Sequence, residues 1–218
     1  MKKHYDTILF DLDGTLLDND ATFARAFQVM KMLYPETFSQ KSALDLDGMV
    51  DLRRNHDTDA EAYLTDYCNQ SGWTLERSPA AFYSFWCSIY LDYPVLYPES
   101  MPLLRYLKEK GYKLGIVTNG NSVSQSRKLR SCGVDALIEV SIISESVGVA
   151  KPDPAIYRIA LDRLQAKAEN ALFVGNNPST DILGAIRAGM DSFFIPGRPL
   201  DGLTPTYTGS LQDLYELL

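Results

Sequence analysis

One stretch near the start of the chain constrains the rest: Ile8-Leu9-Phe10-Asp11-Leu12-Asp13-Gly14-Thr15. Three apolar residues, preceded by Tyr5, Asp6 and Thr7, run straight into two aspartates, a glycine and a threonine. An unbroken apolar run of this length reads as a short strand buried on both faces, as in a parallel sheet. Side chains alternate along a strand, so Asp11 and Asp13 are predicted to point the same way at its carboxyl end. Gly14 lets the backbone turn sharply there. Two carboxylates at the end of a buried strand are costly unless a cation or a reaction keeps them in place. In open α/β sheets that edge is where ligands bind.

The later part of the chain alternates as such a sheet requires. Apolar runs at Lys113–Thr118, Leu137–Ile143, Ala171–Gly175 and Asp191–Ile195 are predicted strands, with a weaker one near Thr206–Thr208. Helical patterns lie between them at Met101–Lys110, Ser122–Ser131, Asp153–Leu164 and Ser179–Ala188, and a last one at Leu211–Leu217. This predicts an α/β fold, a three-layer Rossmann-like parallel sheet with helices on both faces. Residues 18–92 interrupt it with helix-favouring sequence and no convincing strand. Phe23, Ala26, Phe27, Met30 and Leu33 fall at helical spacing up to a stop at Pro35. Asp57-Thr58-Asp59 suits a cap for a second helix, and Ser78-Pro79 opens a third. The expected division is an α/β core of residues 1–17 and 93–218 and a small all-helical domain of 18–92.

Charge and composition exclude several classes of function. The 21 basic and 28 acidic residues give a net charge of −7, and no Lys/Arg-rich run is present, so a nucleic acid polymer is not an expected partner. No apolar run reaches the length needed to span a bilayer. The amino terminus runs directly into the first strand without a signal peptide, so a cytoplasmic location is expected. Cys68, Cys87 and Cys132 are far apart and lack metal-ligand spacing, which suits reduced thiols. With two histidines, His4 and His56, chemistry built on several imidazoles is not expected.

Each later strand ends in polar residues. Strand two ends Thr118-Asn119-Gly120, a hydroxyl, an amide and backbone N–H groups leading into a helix, which suits a phosphate. Lys151 stands in Val149-Ala150-Lys151-Pro152-Asp153-Pro154. Strand four ends Gly175-Asn176-Asn177-Pro178-Ser179-Thr180-Asp181, followed by Gly184-Ala185 and Ala188-Gly189. In this order the four stretches resemble the four motifs of the haloacid dehalogenase superfamily in its phosphatase form, across essentially the whole chain outside 18–92. The resemblance implies that 18–92 is a cap domain that closes over the site, excludes water and sets specificity. It implies Asp11 as nucleophile, forming an aspartyl-phosphate, and Asp13 as general acid and then base. Thr118 and Lys151 would hold the phosphoryl oxygens, with Asn119 supporting them or positioning the nucleophile. Mg²⁺ would be held by Asp11, the backbone carbonyl of Asp13 and the strand-four loop through Asn176, with Asp181 assisting through water or by orienting its neighbours. A small phosphorylated metabolite, a nucleotide or a sugar phosphate, is the implied substrate; oligomeric state leaves no mark in the sequence.

One position departs from the pattern. Phosphatases of this superfamily usually carry aspartate where Asn176 stands. An amide oxygen still ligates Mg²⁺ but brings no charge, which should weaken metal affinity. A hydrolytic 2-haloacid dehalogenase, which needs no metal, a phosphomutase and a phosphate-binding protein with an attenuated site are the alternatives. The full Asp11-x-Asp13 pair favours the phosphatase, because a dehalogenase has no use for Asp13. The helical domain is rich in aromatics, namely Tyr63, Tyr67, Trp73, Phe82, Tyr83, Phe85, Trp86, Tyr90 and Tyr93. Their helical spacing reads mainly as core, with a few available to stack on a nucleobase. Arg53, Arg54 and His56 are its one basic cluster, read as a solvated face.

Overall fold

The structure, a computed structural model, describes residues 4–55 and 60–218 apart from the side chains of 53–55. The Arg53, Arg54 and His56 side chains and the cap Asp57-Thr58-Asp59 lie outside the described residues. The chain forms two compact units, Met1–Asp18 with Leu96–Leu218, and Asn19–Val95. After β1 (Thr7–Phe10) it runs through α1 (Asn19–Leu33), α2 (Pro35–Phe38), α3 (Leu46–Asn55), α4 (Ala60–Ser71) and α5 (Pro79–Asp92). It continues with α6 (Ser100–Glu109), β2 (Lys113–Thr118), α7 (Ser122–Ser131), β3 (Val140–Ile143), α8 (Ser144–Val147) and α9 (Pro154–Leu164). β4 (Ala171–Gly175), α10 (Leu183–Ala188), β5 (Asp191–Phe194), β6 (Tyr207–Thr208) and α11 (Leu214–Leu217) complete it.

The six strands form one sheet in the order β3-β2-β1-β4-β5-β6, with every pairing parallel. The strand order reverses beside β1, which pairs β2 on one side and β4 on the other, with Phe10 opposite both Ile116 and Val174. All four β1 residues are buried, as the unbroken apolar run requires. Alternation sends Ile8, Phe10, Ile116 and Val174 to a cluster with Leu104 and Leu107 of α6 and Leu214 of α11. Leu9, Val117 and Phe173 go to a second cluster with Ile156 and Tyr157 of α9 and Ala185 of α10. Each face of the sheet is therefore sealed by helices, and the carboxyl ends of β1, β2 and β4 lie side by side.

The helical unit has its own core of Phe23, Met30, Leu64, Trp73, Phe82 and Trp86 among others. Trp73 meets Phe38, Tyr67 and Phe82 edge to face, and its indole N–H donates to the Thr37 carbonyl at 2.8 Å. Tyr63, Tyr67, Tyr83 and Phe85 pack around that core, while Tyr93 is half exposed. Where the chain leaves and rejoins the α/β unit, Leu17 and Leu96 form an antiparallel bridge. There the Leu16 carbonyl accepts from the Tyr97 N–H at 3.0 Å and the Ser100 hydroxyl at 2.8 Å.

Several boundaries differ from the sequence expectation. The first helix does end just before Pro35, at Leu33, but Pro35 itself opens the short α2, because a first-turn proline lacks only an N–H that would be unpaired anyway. β3 begins at Val140, since Val134–Ala136 is a turn of 3-10 helix. The predicted helix Ser179–Ala188 is split into a π turn, Pro178–Ile182, and α10. Helix α8, four residues long, is too short to show a period, and α3, with Leu46, Met49 and Val50 at helical spacing, falls in the stretch read only as helix-favouring. Among the described residues no helix is long and apolar enough to cross a membrane.

Candidate active site

Asp11 follows β1 directly, and its N–H still bonds the Val174 carbonyl at 2.9 Å, so its side chain is fixed at the sheet edge. Its Oδ1 accepts from Lys151 Nζ at 2.6 Å, and Oδ2 has a long contact to the Thr15 hydroxyl at 3.3 Å. Lys151 also bonds Asp181 Oδ1 at 2.8 Å. All three side chains are buried. The Asp11 carboxyl is pushed up to about 7 on balance: burial raises it most, Lys151 pulls it down, and the charges of Asp181 and Asp13 push it up. Burial works to strip the proton from Lys151, and the two carboxylates outweigh it, so the ammonium titrates above its ordinary value.

Asp181 is placed by the π turn, a local geometry frequent at functional sites. Its Oδ2 accepts the N–H groups of Asn176 at 3.1 Å and Asn177 at 2.9 Å, which closes the loop after β4 around one carboxylate. Gly175 makes this possible: a Cβ there would stand 2.5 Å from Asp181 Cβ and Oδ2. The same loop lays the Asn176 amide over Gly14, whose φ of +80° and lack of a side chain let the two turns meet.

Asn119 makes a reciprocal clamp. Its Nδ2 donates to the Lys151 carbonyl at 3.0 Å and its Oδ1 accepts the Lys151 N–H at 2.8 Å. Both bonds act on the backbone of Lys151. Thr118 is buried at the end of β2. Asp13 stands apart from the Asp11–Lys151–Asp181 group on partners of its own: Lys128 Nζ lies 2.8 and 3.0 Å from its two oxygens, and Gln125 Nε2 lies 2.8 Å from Oδ2. Sequence reasoning missed Gln125 and Lys128. Their one sequence signal is the spacing of three within a predicted helix, which puts both on one face of α7.

The side chains present suit a hard divalent cation. The available donors are a carboxylate at Asp11, backbone carbonyls and the Asn176 amide on the Gly14 turn, all oxygen donors of the type Mg²⁺ prefers. Asp181 is already engaged through both oxygens, Oδ1 with Lys151 and Oδ2 with the Asn176 and Asn177 N–H groups. Among the described residues no three His, Cys, Asp or Glu side chains converge as a metal cluster.

Residues 5–189 match the haloacid dehalogenase-like hydrolase family. This chain belongs to that family. A glyceraldehyde 3-phosphate phosphatase of Methanopyrus kandleri is 46% identical over 94 residues, 43% of this chain and 40% of that protein. The hydrolase thus spans well under two-thirds of that relative. The pyrimidine 5'-nucleotidase YjjG of Escherichia coli is 28% identical over 98% of both chains. Among solved structures, the HAD-hydrolase-assigned YfnB of Bacillus subtilis, bound to magnesium, has a TM-score of 0.74 and 26% identity over 99% of both chains.

Proposed function

We propose that this hydrolase is a Mg²⁺-assisted phosphatase of small phosphate monoesters that works through an aspartyl-phosphate on Asp11. The observation that carries it is the separation of the two aspartates: Asp11 shares Lys151 with Asp181, while Asp13 is held by a different lysine. Two carboxylates in two environments suit two tasks. Asp11 attacks phosphorus as its bond to the leaving oxygen breaks, and Asp13 delivers a proton to that oxygen. Asp13 then takes a proton from the water that attacks the phosphorus, which frees Asp11 and inorganic phosphate. Lys151 and Thr118 hold the phosphoryl oxygens, Asp181 keeps Lys151 in line with Asp11, and Asn119 fixes the Lys151 backbone. Asp11, the Asp13 carbonyl and Asn176 would hold Mg²⁺, which supplies positive charge that offsets repulsion between a carboxylate nucleophile and an anionic substrate.

The relatives support the substrate class, since one is named for glyceraldehyde 3-phosphate and another for pyrimidine 5'-nucleotides. Magnesium bound in YfnB supports the cation. The neutral Asn176 is the feature that favours a 2-haloacid dehalogenase instead, but that reaction leaves Asp13 and its two partners without a task. The test is turnover of p-nitrophenyl phosphate with and without Mg²⁺. Asp11→Asn is expected to fall to the assay background. Asp13→Asn is expected to lose about 10²–10⁴-fold, the usual contribution of a general acid or base. Native turnover in Asp11→Asn would sink the reading, and release of halide from 2-chloropropionate by the same protein would replace it.

A further inference from the structure

Gln125 touches both Asp13 and the proposed phosphate-binding end of β2. Its Nε2 lies 2.8 Å from Asp13 Oδ2 and 2.7 Å from Thr118 Oγ1, with a longer 3.3 Å contact to the Asn119 carbonyl. A carboxylate only accepts, so the amide atom facing Asp13 is the nitrogen, and the assignment of the amide follows from its neighbour. An amide NH₂ has two hydrogens, and the two short contacts use them. Thr118 Oγ1 is therefore an acceptor toward Gln125, and its own hydrogen points elsewhere. The other contact of that hydroxyl among the described residues is the Asn119 carbonyl at 3.5 Å, the limit of a hydrogen bond. The hydroxyl is left poised to donate, the polarity that a phosphoryl oxygen needs.

Lys128 completes the arrangement one turn further along α7. Its side chain is 7% exposed, and its ammonium spans both oxygens of Asp13, whose side chain is 29% exposed. A buried ammonium gripping a half-open carboxylate at both oxygens fixes the plane of that carboxylate, and Gln125 fixes its rotation. Both holders come from one helix face and reach Asp13 across the sheet edge. Neither reaches Asp11, which has Lys151 and Thr15 instead.

We propose that Gln125 and Lys128 are positioning residues: together they orient Asp13 toward the leaving oxygen, and Gln125 sets the Thr118 hydroxyl as a donor to the phosphoryl group. The proposal rests on the phosphatase reading. It predicts a leaving-group signature, because proton delivery by Asp13 matters for a poor leaving group and little for a good one.

The experiment compares kcat/KM of the full chain with Mg²⁺ on ethyl phosphate and on p-nitrophenyl phosphate, for the native protein, Lys128→Met, Lys128→Arg and Gln125→Leu. Lys128→Met is expected to lose about 10²-fold on the alkyl ester, the lower end of general-acid contributions, and under about fivefold on the aryl ester. Lys128→Arg should recover most of the difference. In Gln125→Leu the inhibition constant of inorganic phosphate should rise about tenfold, the effect of losing roughly one hydrogen bond to a charged group. Equal losses on the two esters in Lys128→Met, or no loss, overturn the positioning of Asp13. A native phosphate constant in Gln125→Leu overturns the setting of Thr118. If Lys128→Met fails to fold, Lys128→Arg and Gln125→Leu decide on the same two readouts. A native chain that turns over neither ester brings down the phosphatase reading and this proposal with it, whereas uniform losses in an active native chain bring down only the proposal.

Discussion

In the proposed Mg²⁺ site, Asn176 is the residue on which metal affinity is expected to turn. It lies on the Gly14 turn as a neutral amide, and aspartate has almost the same shape, so Asn176→Asp adds a charge without a new clash. The half-saturating Mg²⁺ concentration of that variant is expected to fall on the order of tenfold, since affinity for such cations follows ligand charge; calorimetric Mg²⁺ titration checks it independently of turnover. Lys151 is the opposite case. Its ammonium stands between two buried carboxylates, and Lys151→Met leaves both uncompensated. The expected outcome is background activity and a loss of about 3–5 kcal/mol in urea unfolding, as for other broken buried ion pairs. Asp11, Lys151 and Asp181 were legible because each follows a strand or loop with a distinctive local sequence. The bond of Asn119 to the Lys151 backbone was not, because that partner lies 32 residues away in sequence.

At the scale of elements, the amino-terminal end of α7 is held by polar contacts. Asn121 caps it, accepting from the N–H groups of Val123 at 3.0 Å and Ser124 at 3.1 Å. Glu145 of α8 accepts from the Ser122 N–H at 2.8 Å and the Asn121 amide at 2.9 Å. The Ser122 backbone N–H, then its hydroxyl, hold the Glu145 carboxyl below its ordinary value. A depressed carboxyl contributes stability that is present above the ordinary glutamate range and is lost as pH falls through the lowered value. Glu145→Ala should therefore melt below the native protein at neutral pH, with the gap closing in acid; melting curves across pH check it. The loop after β4 gives a second test. Gly175→Ala places a methyl against Asp181 and should cost about 1–3 kcal/mol, the range for overpacking, measured by chemical denaturation. Strands β1 and β4 were readable as continuous apolar runs. The π turn was not, because its sequence also suits the first turn of an ordinary helix and only Asp181 drawn back onto Gly175 distinguishes them.

The molecule as a whole carries separate apolar cores, one in the helical unit and two on the faces of the sheet. Trp73, buried in the first, is expected to cost about 3–5 kcal/mol when replaced by alanine. Hydrogen exchange in Trp73→Ala should accelerate within Asn19–Val95 and leave the strands of the sheet protected; uniform acceleration would show that the units unfold together. Alternation and a parallel sheet were legible because periodicity reports burial, whereas the contacts that join Asp13 to α7 depend on how distant segments fold back. The bonds among Leu16, Leu17, Leu96, Tyr97 and Ser100 have a further consequence. They bring the two ends of the helical unit together on the sheet side, so the closure of that long excursion is fixed locally, whatever lies within it. Loop-closure entropy grows only slowly with length. The junction therefore works as a socket: inserts of very different size can be exchanged there over the course of evolution, or by design, while the strand that carries Asp11 keeps its place.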